Sequence, residues 1–346
     1  MTTTAHSGGP APMPAPMPVL AAIDMRKYFP VGRSVRSLVG QRPVVHAVED
    51  ASLALDPGTI VAVVGESGSG KTTLGRLLSR LETPTSGTLT LNGQAVPKGG
   101  TRSLRAFRRR VQVVFQDPYA SLNSAHTVGY HLQRPLVLHD RVPPGGSARS
   151  AAIALLDRVG LTPGAEFIDR YPQQLSGGQR QRVAIARALA TEPDVIIADE
   201  PVASLDVSSR LAILNLFASI ARDGASLLYI THDIASARYF ADVIVVMYAG
   251  QIIERGPAEE VASAPQHPYT RLLIDSAPDP DRRDETRRRP ARNEDIASLI
   301  TPPAGCRFHP RCPQAMPVCC TQAPAEFPIA PHRTAACWLH ADQSPT

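Results

Sequence analysis

The chain has 346 residues, 43% of them hydrophobic, and 36 lysines and arginines against 31 acids give a net charge of +5. That length holds one large α/β domain with an appendage, or two modest domains. No apolar run reaches the roughly 18 residues that a membrane-spanning helix needs, and residues 1–18 lack the basic-then-apolar pattern of a secretory signal. The 33 prolines gather toward the two ends, so a compact middle with irregular flanks is expected. All five cysteines lie beyond residue 305. That distribution argues against a disulfide-stapled secreted protein and for a local metal or redox site.

Residues 1–20, rich in Thr, Ala, Gly and Pro, read as a disordered tail. Residues 21–30 read as a strand ending in the aromatic pair Tyr28-Phe29, and 31–43 as a flexible hairpin. Residues 44–55 alternate apolar and polar side chains, the pattern of a half-exposed antiparallel strand. After the turn Asp56-Pro57-Gly58, residues 60–64 (Ile-Val-Ala-Val-Val) predict a parallel strand buried on both faces.

That strand runs into Gly65-Glu66-Ser67-Gly68-Ser69-Gly70-Lys71-Thr72-Thr73, the phosphate-loop spacing. Its glycines let backbone N–H groups curl into an anion nest, and the following helix points its positive end at the same place. Lys71 is placed to reach the β- and γ-phosphates and the Thr72 hydroxyl to ligate Mg²⁺. The pattern implies a nucleoside triphosphate site.

Further strands are expected at 87–93 and 111–115, with a basic helix between them. Residues 117–190 read as a mainly helical insertion. A second buried strand, 194–199, ends in Asp199-Glu200. A helix over 208–223 and a strand over 226–231 follow, then a hairpin through Ala249-Gly250. Beyond about residue 266 come a short helix (268–276), an Arg-rich linker including 282–292, and a Cys/Pro/His-rich tail. The basic runs 102–110 and 282–292 suit either solvent or anionic surfaces such as lipid headgroups.

Four more stretches narrow the chemistry. Gln116 stands in Val-Phe-Gln-Asp-Pro118, Leu175-Ser176-Gly177-Gly178-Gln179 opens a helix, Asp199-Glu200 ends a strand, and Thr231-His232-Asp233 ends another. In this order they resemble the ATP-binding cassette (ABC) transport ATPases. The resemblance implies an ABC-type P-loop core over 21–265, with an antiparallel β subdomain and a helical signature subdomain at about 117–190. It also implies a small Cys-rich extension over 266–346.

The roles implied are Asp199, Thr72 and Gln116 about Mg²⁺, and Glu200 polarising the attacking water with His232 and Gln116 beside the γ-phosphate. Ser176, Gly177, Gly178 and Gln179, with Asp206 nearby, would close over ATP held by a second subunit. Adenine would stack on Phe29, with Tyr28 the second choice. Ser176 is in any case a good N-cap, and Gly177-Gly178 leaves bare N–H groups at a helix start.

The resemblance covers nearly all of residues 21–340 and is closest to the bacterial oligopeptide/dipeptide importer ATPases, in particular the F-type of their two ATPase subunits. It rests on Phe115-Gln-Asp-Pro-Tyr-Ala-Ser-Leu-Asn123, His267-Pro-Tyr-Thr-Arg271 and Gly305-Cys-Arg-Phe-His-Pro-Arg-Cys-Pro313. Ser124-Ala125-His126 departs from that group's usual Pro-Arg-hydrophobic start, and Ala203-Ser204 swaps its commoner order.

This resemblance implies ATP and Mg²⁺ as cofactors and a peripheral place on the cytoplasmic membrane face. The implied partners are a second ATPase in a heterodimer, two transmembrane permeases and, indirectly, an extracytoplasmic substrate-binding protein; nucleic acid is not among them. A sister importer for nickel, opines or glycosides is an alternative, as are a soluble ABC ATPase acting on nucleic acid or ribosomes and a regulatory subunit governed by its cysteines.

Cys306, Cys312, Cys319 and Cys337 suit zinc or an iron–sulfur cluster by residue type, although the C-x2-C pairs of ordinary zinc ribbons are absent. The resemblance implies a [4Fe-4S] cluster. Plain packing of reduced thiols is the alternative. His309, His332 and His340 are further possible ligands, and Cys320 has no assigned role.

Overall fold

The computed structural model describes residues 17–31, 43–97, 99–276 and 298–343. Residues 1–16 of the expected tail over 1–20, most of the hairpin over 31–43 and the basic run 282–292 lie outside the described residues, while Leu20, at the end of that expected tail, is buried as the first residue of a strand.

The elements run in the order β1 (Leu20–Pro30), β2 (Val44–Leu55), β3 (Ile60–Val64), α1 (Lys71–Leu78), β4 (Ser86–Leu91), β5 (Gln94–Ala95), α2 (Thr101–Arg110) and β6 (Val111–Val114). Next come α3 (Pro118–Ser121), α4 (Val128–Leu138), α5 (Ala148–Arg158), α6 (Gly177–Leu189), β7 (Val195–Asp199), α7 (Val207–Arg222), β8 (Ser226–Thr231) and α8 (Ile234–Phe240). The chain continues through β9 (Val243–Tyr248), β10 (Gln251–Pro257), α9 (Ala258–Ser263), α10 (Pro268–Asp275), β11 (Phe327–Ala330) and β12 (Arg333–Ala335).

Among the described residues, two sheets form. One is antiparallel, in the order β2-β1-β4-β5, and the other follows β11-β12-β10-β9-β3-β8-β7-β6. In the second sheet β9, β3, β8, β7 and β6 are parallel. These strands are short and apolar because both faces are covered. Their side chains divide by the two-residue period of a strand. Ile60, Ala62 and Val64 of β3 join one core with Ile196, Tyr229 and Ile244. Val61 and Val63 join the other, with Ile197, Leu228, Val245 and the α1 residues Leu74, Leu77 and Leu78. The first core takes in the helical insertion, through Leu132, Leu156 and Val183. The antiparallel sheet covers the second, through Leu20, Met25, Val48 and Leu89.

Strand β12 pairs with β10 at Glu254↔Ala335, so β12 and β11 extend the central sheet. Tyr269 of α10 and Phe308 join the first core. A buried ion pair, Arg333 to Glu254 at 3.1 Å, locks the seam.

Candidate functional site

Of the residues singled out by sequence, the phosphate loop, Gln116, Asp199, Glu200 and His232 come together at the carboxyl ends of adjacent parallel strands, where open α/β sheets bind ligands. In register, Val64 lies beside Thr231 and Ile230 beside Asp199. The phosphate loop therefore leaves β3 next to His232 after β8, Asp199 and Glu200 at the end of β7, and Gln116 just past β6. Gly70 forms the N-cap of α1 at φ +103°, and a Cβ there would lie 2.3 Å from the Ala47 carbonyl oxygen. Only glycine fits that turn.

Within the loop, Lys71 is 5% exposed and donates from Nζ to the carbonyl oxygens of Gly65 and Glu66, both at 2.8 Å. Burial lowers the Lys71 pKa, opposed by the charges of Glu200, Asp199 and Glu66. The Thr72 hydroxyl donates to Asp199 Oδ1 at 3.2 Å. Burial raises the Asp199 pKa against that bond, with Glu200 adding repulsion. A cation between Thr72 and Asp199 would relieve both effects.

Glu200 is held at both carboxylate oxygens. Gln116 Nε2 donates to Oε2 at 3.2 Å, and His232 Nδ1 lies 3.2 Å from Oε1. The Glu200 N–H donates to the Ile230 carbonyl at 2.9 Å, which fixes the residue to β8 with φ +46°.

A second group forms around the start of α6. Ser176 and Gln179 make a reciprocal capping box: Gln179 N donates to Ser176 Oγ at 3.2 Å, and Ser176 N to Gln179 Oε1 at 3.0 Å. A Cβ on Gly178 would come 3.2 Å from Ser209 Oγ, and one on Gly177 would come 3.6 Å from Leu205. The signature stretch thus lies beside the loop that carries Asp206. Asp206 is the N-cap of α7, accepting from Ser208 Oγ at 2.6 Å and Ser209 N at 2.9 Å. Those bonds, the Ser208 hydroxyl first, hold its carboxyl far below the usual range. Arg180 lies 3.6 Å over the Tyr119 ring and hydrogen-bonds its hydroxyl, tying α6 to the segment after Gln116.

The two aromatic candidates in β1 differ. The Tyr28 hydroxyl donates to Glu49 and its ring packs on His46, centroids 4.6 Å apart. Phe29 is half-buried, with the Lys27 ammonium 4.7 Å from its ring centroid. Phe29 is therefore the less committed face. Burial pushes the Glu49 carboxyl up, but bonds from Tyr28, His46 and Arg307 outweigh it and leave its pKa lowered.

All five cysteines are unbridged thiols. Burial pushes Cys306 and Cys312 up, and Cys337 up to about 11, with the neighbouring thiols of the set adding to each. Cys319 is buried and Cys320 exposed. Although these thiols share one neighbourhood, no three His, Cys, Asp or Glu side chains among the described residues are grouped to hold a metal ion. His309 Nδ1 instead meets the Cys306 carbonyl at 2.9 Å, and His340 Nε2 meets that of Gln266 at 3.3 Å.

Sequence reasoning passed over two residues of the phosphate loop's surroundings. Tyr269 and Arg311 both reach Glu66, the first at its N–H and the second at its carboxylate. Their only signal was their place in His267-Pro-Tyr269 and Cys306-to-Cys312, strings that carried a resemblance without a role.

Residues 48–203 match the family described as ABC transporter, and residues 253–319 match the oligopeptide/dipeptide transporter C-terminal region. The chain is 42% identical over 305 residues to the dipeptide transport ATP-binding protein DppF of Haemophilus influenzae, covering 87% of this chain and 90% of that one. It is 41% identical to the Escherichia coli protein of the same name, covering 85% and 86%. Among solved structures, a dimeric ATP-binding cassette in a post-hydrolysis state with ADP and Pi aligns with TM-score 0.60 at 29% identity, over 69% of this chain and 98% of that one.

Proposed function

This chain belongs to the ABC transporter family of ATP-binding proteins, and we propose that it is the ATP-hydrolysing subunit of a bacterial peptide importer. The observation that carries the enzymatic part is Glu200, gripped between Gln116 and His232 beside the Thr72–Asp199 pair. In this reading the loop Gly65–Gly70 and Lys71 hold the phosphates, and Thr73 continues the cradle. Thr72, Asp199 and Gln116 attend Mg²⁺. Glu200 polarises water in line with the γ-phosphate, and His232 steadies both. Phe29 supplies the adenine face.

The capping box at Ser176, with its bare N–H groups, and Asp206 beside it serve the ATP of a second subunit. The chain acts as half of a pair, a heterodimer on two permeases at the cytoplasmic membrane face. A substrate-binding protein delivers the cargo. No helix among the described residues is long and apolar enough to cross a membrane.

The match over residues 253–319 and the names of the relatives support peptides as that cargo. The test is uptake of a labelled dipeptide in cells that depend on this chain. Wild type restores uptake, and Glu200→Gln abolishes it while the protein still binds ATP. Uptake that survives Glu200→Gln would overturn the assignment. Uptake of nickel or a glycoside in place of peptides would keep the engine and move the cargo.

The tail reading extends this proposal: Cys306, Cys312, Cys319 and Cys337 hold a [4Fe-4S] cluster, with zinc the alternative, supported by thiol chemistry and shared neighbourhood. As placed, the thiols do not converge on a metal ion, and no step of hydrolysis runs through them. Iron and acid-labile sulfide in anaerobically purified protein test it, and their absence refutes it.

A further inference from the structure

Glu66, the second residue of the phosphate loop, is contacted on every polar group it has. Its carboxylate takes a two-pronged bond from Arg311, Nη1 to Oε2 at 2.8 Å and Nη2 to Oε1 at 2.9 Å. Its N–H donates to the Tyr269 hydroxyl at 2.8 Å. Its carbonyl accepts from Lys71 Nζ at 2.8 Å and from the Ser69 N–H at 3.2 Å. The first two contacts come from the C-terminal region, the last two from the loop itself. Glu66 therefore joins the C-terminal region to the lysine that meets the phosphates.

The outer partners are themselves set firmly. Tyr269 is fully buried, with ring centroids 4.6 Å from Tyr248 and 5.5 Å from Phe308. Arg311 has 17% of its side chain exposed against 29% for Glu66, so their pair is only partly screened. Arg307, four residues earlier in the same segment, gives a second route to the loop. It donates to the Ala249 carbonyl and, at 2.9 Å, to Glu49. The adjacent Gly250 N–H donates to the Ser69 carbonyl at 2.9 Å. Two arginines of one short segment thus brace the loop at Glu66 and at Ser69.

We propose that Arg311 is a positioning residue for the nucleotide site: with Tyr269 it clamps Glu66, and through Glu66 it sets the loop shape and the Lys71 placement that receive the triphosphate. The proposal rests on the reading of this loop as an ATP site. Arg311 touches no reacting atom, so its effect falls on nucleotide affinity and not on the chemical step. A bidentate charge-assisted bond of this kind supports roughly a tenfold effect when lost.

The test uses the full chain, a fluorescent ATP analogue for Kd, and ATPase kinetics, with the melting temperature measured beside them. Arg311→Ala raises Kd and KM about tenfold and changes kcat less than about threefold. Arg311→Lys, which keeps the charge but not the fork, falls between. Tyr269→Phe removes one hydroxyl from an otherwise intact ring cluster and weakens binding several-fold, which keeps the proposal testable if Arg311→Ala folds poorly. Glu66→Gln combined with Arg311→Ala is no weaker than the worse single variant, because both break one link.

Arg255→Ala is the control. It severs the Arg255–Glu326 pair, which also ties the C-terminal region to the core but does not touch the loop, and it leaves Kd unchanged. An unchanged Kd in Arg311→Ala, additive effects with Glu66→Gln, or equal loss in Arg255→Ala would each overturn the proposal while leaving ATP binding by wild type in place. A wild-type chain that binds no ATP overturns the underlying reading and this one with it.

Discussion

Glu200 holds a left-handed backbone at φ +46°, a conformation costing on the order of 1 kcal/mol for a residue with a Cβ. The bond from its N–H to Ile230 enforces that geometry, and the turn separates its carboxylate from that of Asp199. Two adjacent acids thereby take different work. Asp199 faces the Thr72 hydroxyl, and Glu200 faces Gln116 and His232. Replacing Glu200 by Gln changes charge without changing size or backbone. The variant expected to stop uptake therefore keeps its ATP affinity within about threefold while hydrolysis falls at least about a hundredfold. A matching fall in affinity would place Glu200 in binding instead.

At the level of elements, the helix starts carry the chemistry, and their caps differ in how openly the sequence announces them. Ser176 is legible as an N-cap in the sequence, whereas its reciprocal bond with Gln179 and the cap that Asp206 places on α7, one residue ahead of the expected 208 start, emerge from the structure. Helix α10 is capped by His267, whose Nδ1 accepts the Tyr269 N–H at 3.0 Å. Nothing local in the sequence signals a histidine in that role. Burial, then the charge of His340, pushes the His267 pKa down to about 3.

An unfolded chain protonates this ring below about pH 6.5, and the folded chain does so only near 3, so unfolding takes up a proton between the two. Its contribution to stability is full above about pH 6.5 and declines as pH falls, by about 1.4 kcal/mol per unit. His267→Asn keeps a capping acceptor and removes the titration. Between about pH 5 and 6, the variant's stability should depend on pH by one proton less than wild type. Equal slopes would show that His267 is not held neutral.

Across the whole molecule, legibility follows the range of the interaction. Strands β3, β7 and β8 stand out because burial on both faces demands four or five apolar residues in a row. The site was legible because phosphate chemistry fixes spacing within short strings, each carried to one edge by the parallel sheet. The strand expected over 111–115 stops at Val114, and β5, with two residues, is too short for any period to report. The seating of the tail was hidden, since Arg311 meets Glu66 across 245 residues and β12 meets β10 across about eighty. No local pattern records such pairings, and so the addition of β11 and β12 to the central sheet from beyond residue 266 has no signal in the sequence.

The central claim is that this engine works as half of a pair driving membrane permeases. It is tested most directly by isolating the Glu200→Gln chain from membranes in the presence of ATP and identifying its stoichiometric partners. The account predicts a second ATP-binding chain together with two multi-span membrane proteins, released when ATP is withdrawn from the pair. Recovery of the chain with ribosomal proteins or DNA, and with no membrane protein, would contradict it.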